Sequence, residues 1–196
     1  MSAENLARIT LVCGGSGSGK SAWVKRQAKH SRRVLAWDPL REYGKAGFEQ
    51  HFDLSALALK LDQRKTGRFA YVPEDLGDFA MFCRIAYAWG DCMVIAEELA
   101  DVTSPGKAPK AWGKVLRQGR HRALDVYGIT QRPAESDKTI IGNATLTHCC
   151  KLKRAEDRVY MAKQMDVPVE MLHALKPLEW VEATDTGQIT RGKLHF

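Results

Sequence analysis

The segment over residues 14–21 constrains the fold of this chain more than any other part of the sequence. It reads Gly14-Gly15-Ser16-Gly17-Ser18-Gly19-Lys20-Ser21 and satisfies the pattern G-x-x-x-x-G-K-[ST] at every fixed position. Glycines let backbone N–H groups turn inward around a β-phosphate, and a following helix presents its positive end to the same group. Lys20 would reach the β- and γ-phosphates of ATP, and the Ser21 hydroxyl would coordinate Mg²⁺. The pattern therefore predicts a phosphate-binding loop.

The residues on either side of this segment decide between a phosphate loop and a glycine-rich surface turn. Residues 8–13 (RITLVC) are apolar and strand-like, and residues 19–30 have the pattern of a helix. A strand, a glycine loop and a helix in that order form the context in which this motif binds phosphate. The context therefore favours the phosphate loop.

Strand and helix patterns alternate along the whole chain. Strands are predicted at 8–13, 33–37, 69–73, 92–96, 124–130 and 144–152, and helices at 19–30, 76–89, 109–121, 154–165 and 168–174. A final hairpin is predicted to turn at residues 185–187. Such alternation is typical of βαβ units with a parallel sheet. We predict a single α/β domain over residues 1–196, a P-loop NTPase with a mostly parallel central sheet flanked by helices.

Two adjacent carboxylates follow the apolar strand predicted at 92–96. The run Val94-Ile95-Ala96-Glu97-Glu98 is apolar on both faces until its end, as a buried parallel strand is. P-loop enzymes hold the water shell of Mg²⁺ with a carboxylate at such a strand end, and a neighbouring group positions the attacking water. We assign the metal role to Glu97 and the polarisation of water to Glu98. The alternative is that both acids cap the next helix.

A polar residue also ends the strand predicted at 124–130. Gln131 follows this strand directly. The carboxyl ends of parallel strands line the ligand crevice of an open α/β sheet. Gln131 could therefore hydrogen-bond the γ-phosphate or the attacking water and sense whether the nucleotide is intact. A simple turn residue is the alternative.

Positive charge is concentrated in one part of the chain. The formal net charge is +7 and the isoelectric point is near 9.2, which permits binding to a polyanion without requiring it. No acidic residue lies between Asp101 and Asp125, whereas that interval contains Lys107, Lys110, Lys114, Arg117, Arg120 and Arg122. This segment produces a local positive field. A solvated basic helix face with no specific partner is the alternative.

Three stretches in order resemble the FtsK/HerA class of DNA-translocating ATPases. They read GGSGSGKS, VIAEELADV and GRHRALDVYGITQRP. Residues 97–101 are similar to the D-E-x-A-D segment of that class, with Glu97 in place of the usual Asp, and residues 130–133 match its T-Q-R-P sensor segment. The resemblance covers residues 8–152 and implies a RecA/FtsK-like fold. It does not extend over the C-terminal extension, residues 153–196.

Within that class, the chain looks most like the genome-packaging ATPases of membrane-containing icosahedral viruses and phages of the tectivirus type. The resemblance implies an ATP- and Mg²⁺-dependent motor, a homo-oligomeric ring of six or five subunits that moves double-stranded DNA into a preformed capsid, with proteins of the capsid vertex as further partners. It also implies that an arginine of one subunit completes the site of its neighbour, and Arg117, Arg120 and Arg122 are the candidates. Lys107 and Lys110 are the candidates for contact with DNA phosphates.

Two other functions remain open from the sequence. One is a related ring ATPase for conjugation or filamentous-phage export, and the other is a small-molecule kinase. The Glu97-Glu98 pair favours hydrolysis over a kinase reaction, because a water-activating carboxylate has no use in a kinase. No apolar run reaches about 18 residues and the N-terminus lacks the pattern of a secretory signal. We therefore expect a location in the cytoplasm of a host cell, or at the packaging vertex of a virion.

Overall fold

One nine-stranded sheet organises the chain. The computed structural model describes residues 8–195. The strands are β1 (Arg8–Cys13), β2 (Arg33–Trp37), β3 (Glu49–His51), β4 (Gly67–Tyr71), β5 (Cys92–Ala96), β6 (Leu124–Thr130), β7 (Leu146–Cys150), β8 (Glu179–Thr184) and β9 (Ile189–Lys193). Their spatial order is β3-β4-β2-β5-β6-β1-β7-β8-β9. Strands β1 to β7 pair with one another in parallel, and β8 and β9 add an antiparallel hairpin alongside β7.

Helices cover both faces of this sheet. They are α1 (Lys20–Ala28), α2 (Leu54–Gln63), α3 (Phe79–Trp89), α4 (Leu99–Val102), α5 (Lys110–Gln118), α6 (Lys138–Asn143), α7 (Ala155–Met165) and α8 (Val169–His173). Successive residues of a strand point to opposite faces, so a strand buried on both sides must be apolar throughout. Leu11 of β1 accordingly belongs to the core under α3, α5 and α7, whereas the next residue, Val12, packs on the face that α1 covers.

The register of the central strands brings the predicted motifs to one edge of the sheet. Cys13, the last residue of β1, lies between Thr130 of β6 and Cys149 of β7. Ala96, the last residue of β5, lies beside Gly128 of β6. The segments that follow β1, β5, β6 and β7 therefore share the carboxyl edge of the sheet, where α/β proteins bind their ligands.

Most of the predicted elements are confirmed, and the differences have local causes. The fourth strand occupies Gly67–Tyr71 rather than 69–73. The helix predicted at 109–121 ends at Gln118 and continues as a 3-10 turn over Gly119–Arg122. The predicted C-terminal hairpin is present as β8 and β9. Within residues 8–195, no helix is both long enough and apolar enough to cross a bilayer.

Two elements that the sequence did not predict lie between β2 and β4. Strand β3 is a three-residue edge strand of polar residues, so it carries no apolar pattern. Helix α2 is capped by Asp53, whose carboxylate accepts a hydrogen bond of 2.7 Å from the backbone N–H of Ala56. An aspartate in this position satisfies a backbone donor that the first turn of the helix leaves free.

Candidate active site

The predicted phosphate loop connects β1 to α1 and is fixed to two neighbouring strands. The backbone N–H of Gly14 donates to the carbonyl of Thr130 at 3.3 Å, at the end of β6. The N–H of Gly15 donates to the carbonyl of Lys151 at 2.8 Å, directly after β7. The loop is thus held in place by the ends of both strands that flank β1.

Glycine is required at two positions of this loop for different reasons. A β-carbon on Gly14 would lie 2.6 Å from the Ser18 hydroxyl and 2.7 Å from the β-carbon of Cys150, so it would collide with both. Gly19 has φ +102°, a left-handed conformation that other residues rarely adopt. The sequence pattern therefore reflects steric limits on the loop as well as access for phosphate.

Lys20 lies inside the curve of the loop. Its side chain is buried, and its ammonium group donates a hydrogen bond of 3.1 Å to the carbonyl of Gly15. Burial lowers the pKa of Lys20 from its ordinary value, while the nearby carboxylates of Glu98 and Glu97 act in the opposite direction. The ammonium group is therefore held between the loop and the two acids that the sequence placed in the site.

The carboxylate of Glu97 is almost completely buried, with 3% of the residue exposed. The hydroxyl of Tyr43 donates to it at 2.8 Å. Burial raises the pKa of Glu97 to about 7, and hydrogen bonds from the hydroxyls of Tyr43 and Ser21 oppose this rise. Ser21 and Glu97, the two predicted metal-side residues, therefore face each other at the start of α1.

Glu98 is half-buried and adopts an unusual backbone conformation. Its φ of +50° is left-handed, although it is not a glycine. Conformations of this kind cost about 1–3 kcal/mol and are concentrated at functional sites. The side-chain amide of Gln131 donates a hydrogen bond of 2.7 Å to its carboxylate. The two side chains that were predicted to handle water and to sense the nucleotide thus touch each other.

The sensor segment after β6 is anchored to the C-terminal extension. The buried carboxylate of Asp157 in α7 accepts from the guanidinium Nε of Arg132 at 3.3 Å and from the backbone N–H of Ala134 at 3.1 Å. Arg132 also pairs with Glu135. The Thr130 hydroxyl accepts from the backbone N–H of Arg132 at 3.1 Å. These contacts fix the turn that carries Gln131.

The basic candidates lie in two different places. Lys107 is exposed on the segment that precedes α5, and Lys110 is exposed as the first residue of α5, on the side of the sheet where β5 ends. Arg117 and Arg120 are exposed at the other end of α5, which leads to the start of β6. Since β6 begins at the amino edge, these two arginines are remote from the phosphate loop of their own chain.

Arg122 differs from the other two arginine candidates. Its guanidinium donates to the carbonyl of Tyr87 at 3.0 Å and to the carbonyl of Ala88 at 2.5 Å. Both carbonyls lie in the last turn of α3, where backbone acceptors lack partners within the helix. The side chain of Arg122 therefore satisfies the end of α3.

Sequence reasoning missed two residues that hold the site together. Tyr43 lies 54 positions before the carboxylate that it contacts, and Asp157 lies 25 positions after Arg132. Neither residue belongs to a motif or to a periodic pattern. Asp38 holds the Tyr43 segment in place, because its buried carboxylate accepts from the backbone N–H groups of Glu42 and Tyr43 at 2.8 and 2.9 Å.

Comparison with known proteins agrees with this geometry. No protein-family model matches the chain. The chain is similar in structure to the genome packaging NTPase B204 of Sulfolobus turreted icosahedral virus 2 in complex with AMP, with a TM-score of 0.81, 17% identity and coverage of 97% of this chain and 98% of B204. It is also similar to VirB4 of Thermoanaerobacter pseudethanolicus, with a TM-score of 0.68, 11% identity and coverage of 100% and 92%. At these identities the likeness concerns the fold.

Sequence similarity identifies the family. The chain is 33% identical over 171 residues to Protein P9 of Pseudoalteromonas phage PM2, and the match covers 85% of this chain and 78% of that protein. The phosphate loop, the paired acids and the sensor segment all lie at one edge of a sheet whose fold is that of P-loop ATPases. The chain therefore belongs to the family of Protein P9 and has the fold of P-loop ATPases.

Proposed function

We propose that this chain hydrolyses ATP to move double-stranded DNA into a preformed viral capsid. Its membership of the Protein P9 family and its likeness to B204, which is described as a genome packaging NTPase, support this proposal. The single observation that carries it is the 2.7 Å hydrogen bond between Gln131 and Glu98 beside the phosphate loop. This contact couples a side chain suited to activating water to one suited to sensing the γ-phosphate.

The residues present fit an ATP–Mg²⁺ complex. The backbone of residues 14–19 would surround the β-phosphate, and Lys20 would contact the β- and γ-phosphates. Ser21 and Glu97, whose hydroxyl and carboxylate face each other, would hold Mg²⁺ directly or through water. The metal ion, when bound, neutralises charge on the phosphates.

Glu98 is the residue we propose to polarise the attacking water. Its carboxylate is half-buried next to Lys20 and receives the amide of Gln131. A carboxylate in this position can orient a water molecule and accept its proton as the water attacks the γ-phosphate. Gln131 would then report loss of the γ-phosphate to the turn that Arg132 and Asp157 anchor.

We propose that the active assembly is a homo-oligomeric ring of six or five subunits. Arg117 and Arg120 lie at the amino edge of the sheet, so they can serve only the phosphate loop of another subunit. A guanidinium placed there in trans would neutralise charge on the γ-phosphate in the transition state. Lys107 and Lys110 would contact DNA phosphates in the ring channel, and capsid vertex proteins would hold the ring in place.

The test is ATP hydrolysis measured with and without double-stranded DNA, in the absence of any other phosphoryl acceptor. We expect DNA to stimulate phosphate release, and we expect Lys20→Ala to abolish it. A Lys107→Ala, Lys110→Ala double variant should keep the basal rate, lose stimulation by DNA and show a shallower salt dependence of DNA binding. Lys163→Ala, which removes an exposed lysine from α7, is the matched control.

Two outcomes would contradict the proposal. Hydrolysis that does not respond to DNA at any salt concentration would remove DNA as the partner. Phosphate transfer to an added small-molecule acceptor, with little release of free phosphate, would instead indicate a kinase.

A further inference from the structure

A cavity of about 390 Å³ continues from the phosphate loop along the first turn of α1. Its lining consists of the loop residues 17–21 together with Ala22, Glu42 and Leu178. A volume of this size is typical of sites that hold a small ligand. The loop residues would receive the phosphates. Ala22, Glu42 and Leu178 lie outside the loop and form the rest of the lining.

Leu178 belongs to the C-terminal extension, immediately before β8. Its φ is +68°, a left-handed conformation that is strained for a leucine. The backbone N–H of Leu194 donates to the carbonyl of Leu178 at 2.9 Å. The residue that follows β9 is thus hydrogen-bonded to Leu178, which lies just before β8.

The side chain of Leu178 lies against the phosphate loop. Its Cδ2 atom, together with that of Leu194, is 3.3 Å from the position that a β-carbon on Gly19 would occupy. Leu178 is half-buried and packs on the core cluster that α1 covers. An apolar side chain thus remains accessible beside the phosphate loop. The phosphates of a nucleotide are highly charged, and its apolar part is the nucleoside.

Polar groups are few in the part of the cavity lining that lies outside the phosphate loop. Ala22 and Leu178 are apolar, and Glu42 is paired with Lys25 at 3.2 Å. A wall of this kind contacts a planar base without reading its hydrogen-bonding edge. Apolar pockets discriminate weakly between ligands of similar shape.

We infer that Leu178 forms the wall of a nucleobase subsite, so that the C-terminal extension, which lies outside the recognised motifs, supplies the contact with the nucleoside. This inference rests on the proposed function, because it takes the loop as the site of a nucleoside triphosphate. The subsite accepts purine bases through their apolar faces. Adenosine and guanosine triphosphates therefore gain similar affinity from it.

The test compares equilibrium binding of ATP, GTP and inorganic tripolyphosphate to the full chain and to Leu178→Ala by calorimetry. We expect the dissociation constants for ATP and GTP to rise by about tenfold, in line with the loss of one well-placed apolar contact. Binding of tripolyphosphate should not change, because it has no base. Leu175→Ala, a buried leucine of the same extension that packs in the other core cluster, is the matched control and should leave all three constants unchanged.

Leu178→Gly is the second variant, because glycine adopts the left-handed conformation without strain and so protects against loss of folding. It should show the same selective loss of ATP and GTP binding. Unchanged ATP binding in both variants, an equal loss of tripolyphosphate binding, or equal affinity of the unaltered chain for ATP and tripolyphosphate would overturn the inference. Failure of the unaltered chain to bind ATP at all would instead overturn the proposed function.

Discussion

The side-chain amide of Gln131 donates a hydrogen bond of 2.7 Å to the carboxylate of Glu98, and this bond joins the ends of strands β6 and β5. Because Gln131 is a donor here, the oxygen that accepts from it is oriented before any nucleotide binds. Glu98 is therefore preorganised for contact with a water molecule.

We predict that Glu98→Gln binds ATP normally while its turnover falls by about 10²-fold or more, because shape and hydrogen bonding remain and only the charge that polarises water is lost. Steady-state hydrolysis and nucleotide binding, measured on the same preparation, test this. Glu170→Gln, the same substitution at an exposed glutamate of α8, is the control and should turn over normally. Normal turnover of Glu98→Gln together with loss of turnover in Glu97→Gln would reverse the two roles.

Tyr43 is predicted to position Glu97 for the metal ion. Removing its hydroxyl with Tyr43→Phe should raise the Mg²⁺ concentration for half-maximal hydrolysis several-fold and lower the free energy of unfolding by about 1 kcal/mol, a typical value for one buried hydrogen bond. The effect on Mg²⁺ dependence should nearly vanish when Glu97→Asp is also present, because the shorter side chain does not reach the hydroxyl. Such non-additivity is the sign of direct contact.

Mg²⁺ titrations of hydrolysis and of nucleotide binding measure these effects of Tyr43→Phe with and without Glu97→Asp. Tyr71→Phe is the matched control, since it removes a hydroxyl that also donates to a carboxylate, that of Asp78. It should change stability without changing the Mg²⁺ dependence. An equal shift of that dependence with and without Glu97→Asp would show that Tyr43 acts elsewhere.

Variants of the arginines at the end of α5 test the proposed homo-oligomeric ring. Arg117→Ala or Arg120→Ala should bind ATP normally and lose hydrolysis, by as much as about 10³–10⁵-fold if one of them acts in trans. Mixing that variant with Lys20→Ala protein should restore part of the activity, because an intact loop can then face an intact arginine. Arg122→Ala should mainly destabilise the fold, since its guanidinium satisfies carbonyls of α3.

Hydrolysis assays on single and mixed variants distinguish these outcomes. Unchanged basal hydrolysis with lost stimulation by DNA would identify a DNA contact instead. If Arg117→Ala, Arg120→Ala and Arg122→Ala all keep both rates, the basic segment is a solvated face. The arginine acting between subunits would then have to lie elsewhere, for example at Arg132, Arg154 or Arg158.

Asp125, at the amino edge of β6, makes stability depend on pH. Burial raises the pKa of this carboxyl to about 6, and Arg8 opposes the rise. The folded chain therefore holds the proton more tightly than the unfolded chain, and stability falls as pH rises from about 4 to about 6. Asp125→Asn should add about 3 kcal/mol to the free energy of unfolding at pH 7 and almost nothing at pH 4.

Denaturant unfolding at the two pH values measures this difference. Asp62→Asn, which neutralises an exposed acid on α2, is the control and should have little effect at either pH. The same gain in stability at pH 4 and pH 7 would show that the change does not arise from ionisation of Asp125.

The sequence placed the candidate site residues at one edge of the sheet, because each placement follows from a local rule. The phosphate loop has fixed residue types at fixed spacing. Glu97, Glu98 and Gln131 were found because each directly follows an apolar strand, and parallel strands end at a common edge. The register between β1, β5 and β6 confirms that these strand ends are neighbours.

The supporting contacts could not be predicted, because they join residues that are distant in the sequence and follow no repeat. Tyr43 meets Glu97, and Asp157 meets Arg132, only after the sheet has brought four separate segments together. The left-handed conformation of Leu178 is similarly hidden, since leucine gives no local signal for it. Side-chain contacts of this kind depend on strand order, which composition and periodicity do not determine.

The hydrogen bonds from Arg132 and Ala134 to Asp157 have a consequence for attempts to shorten the chain. Truncation after residue 152 would keep every recognisable motif, yet it would remove α7 and with it the buried carboxylate that fixes the sensor turn. It would also strip β8 from β7 and leave a bare strand edge open to self-association. The shortened chain would retain the candidate site residues but lose the contact that fixes the turn carrying Gln131.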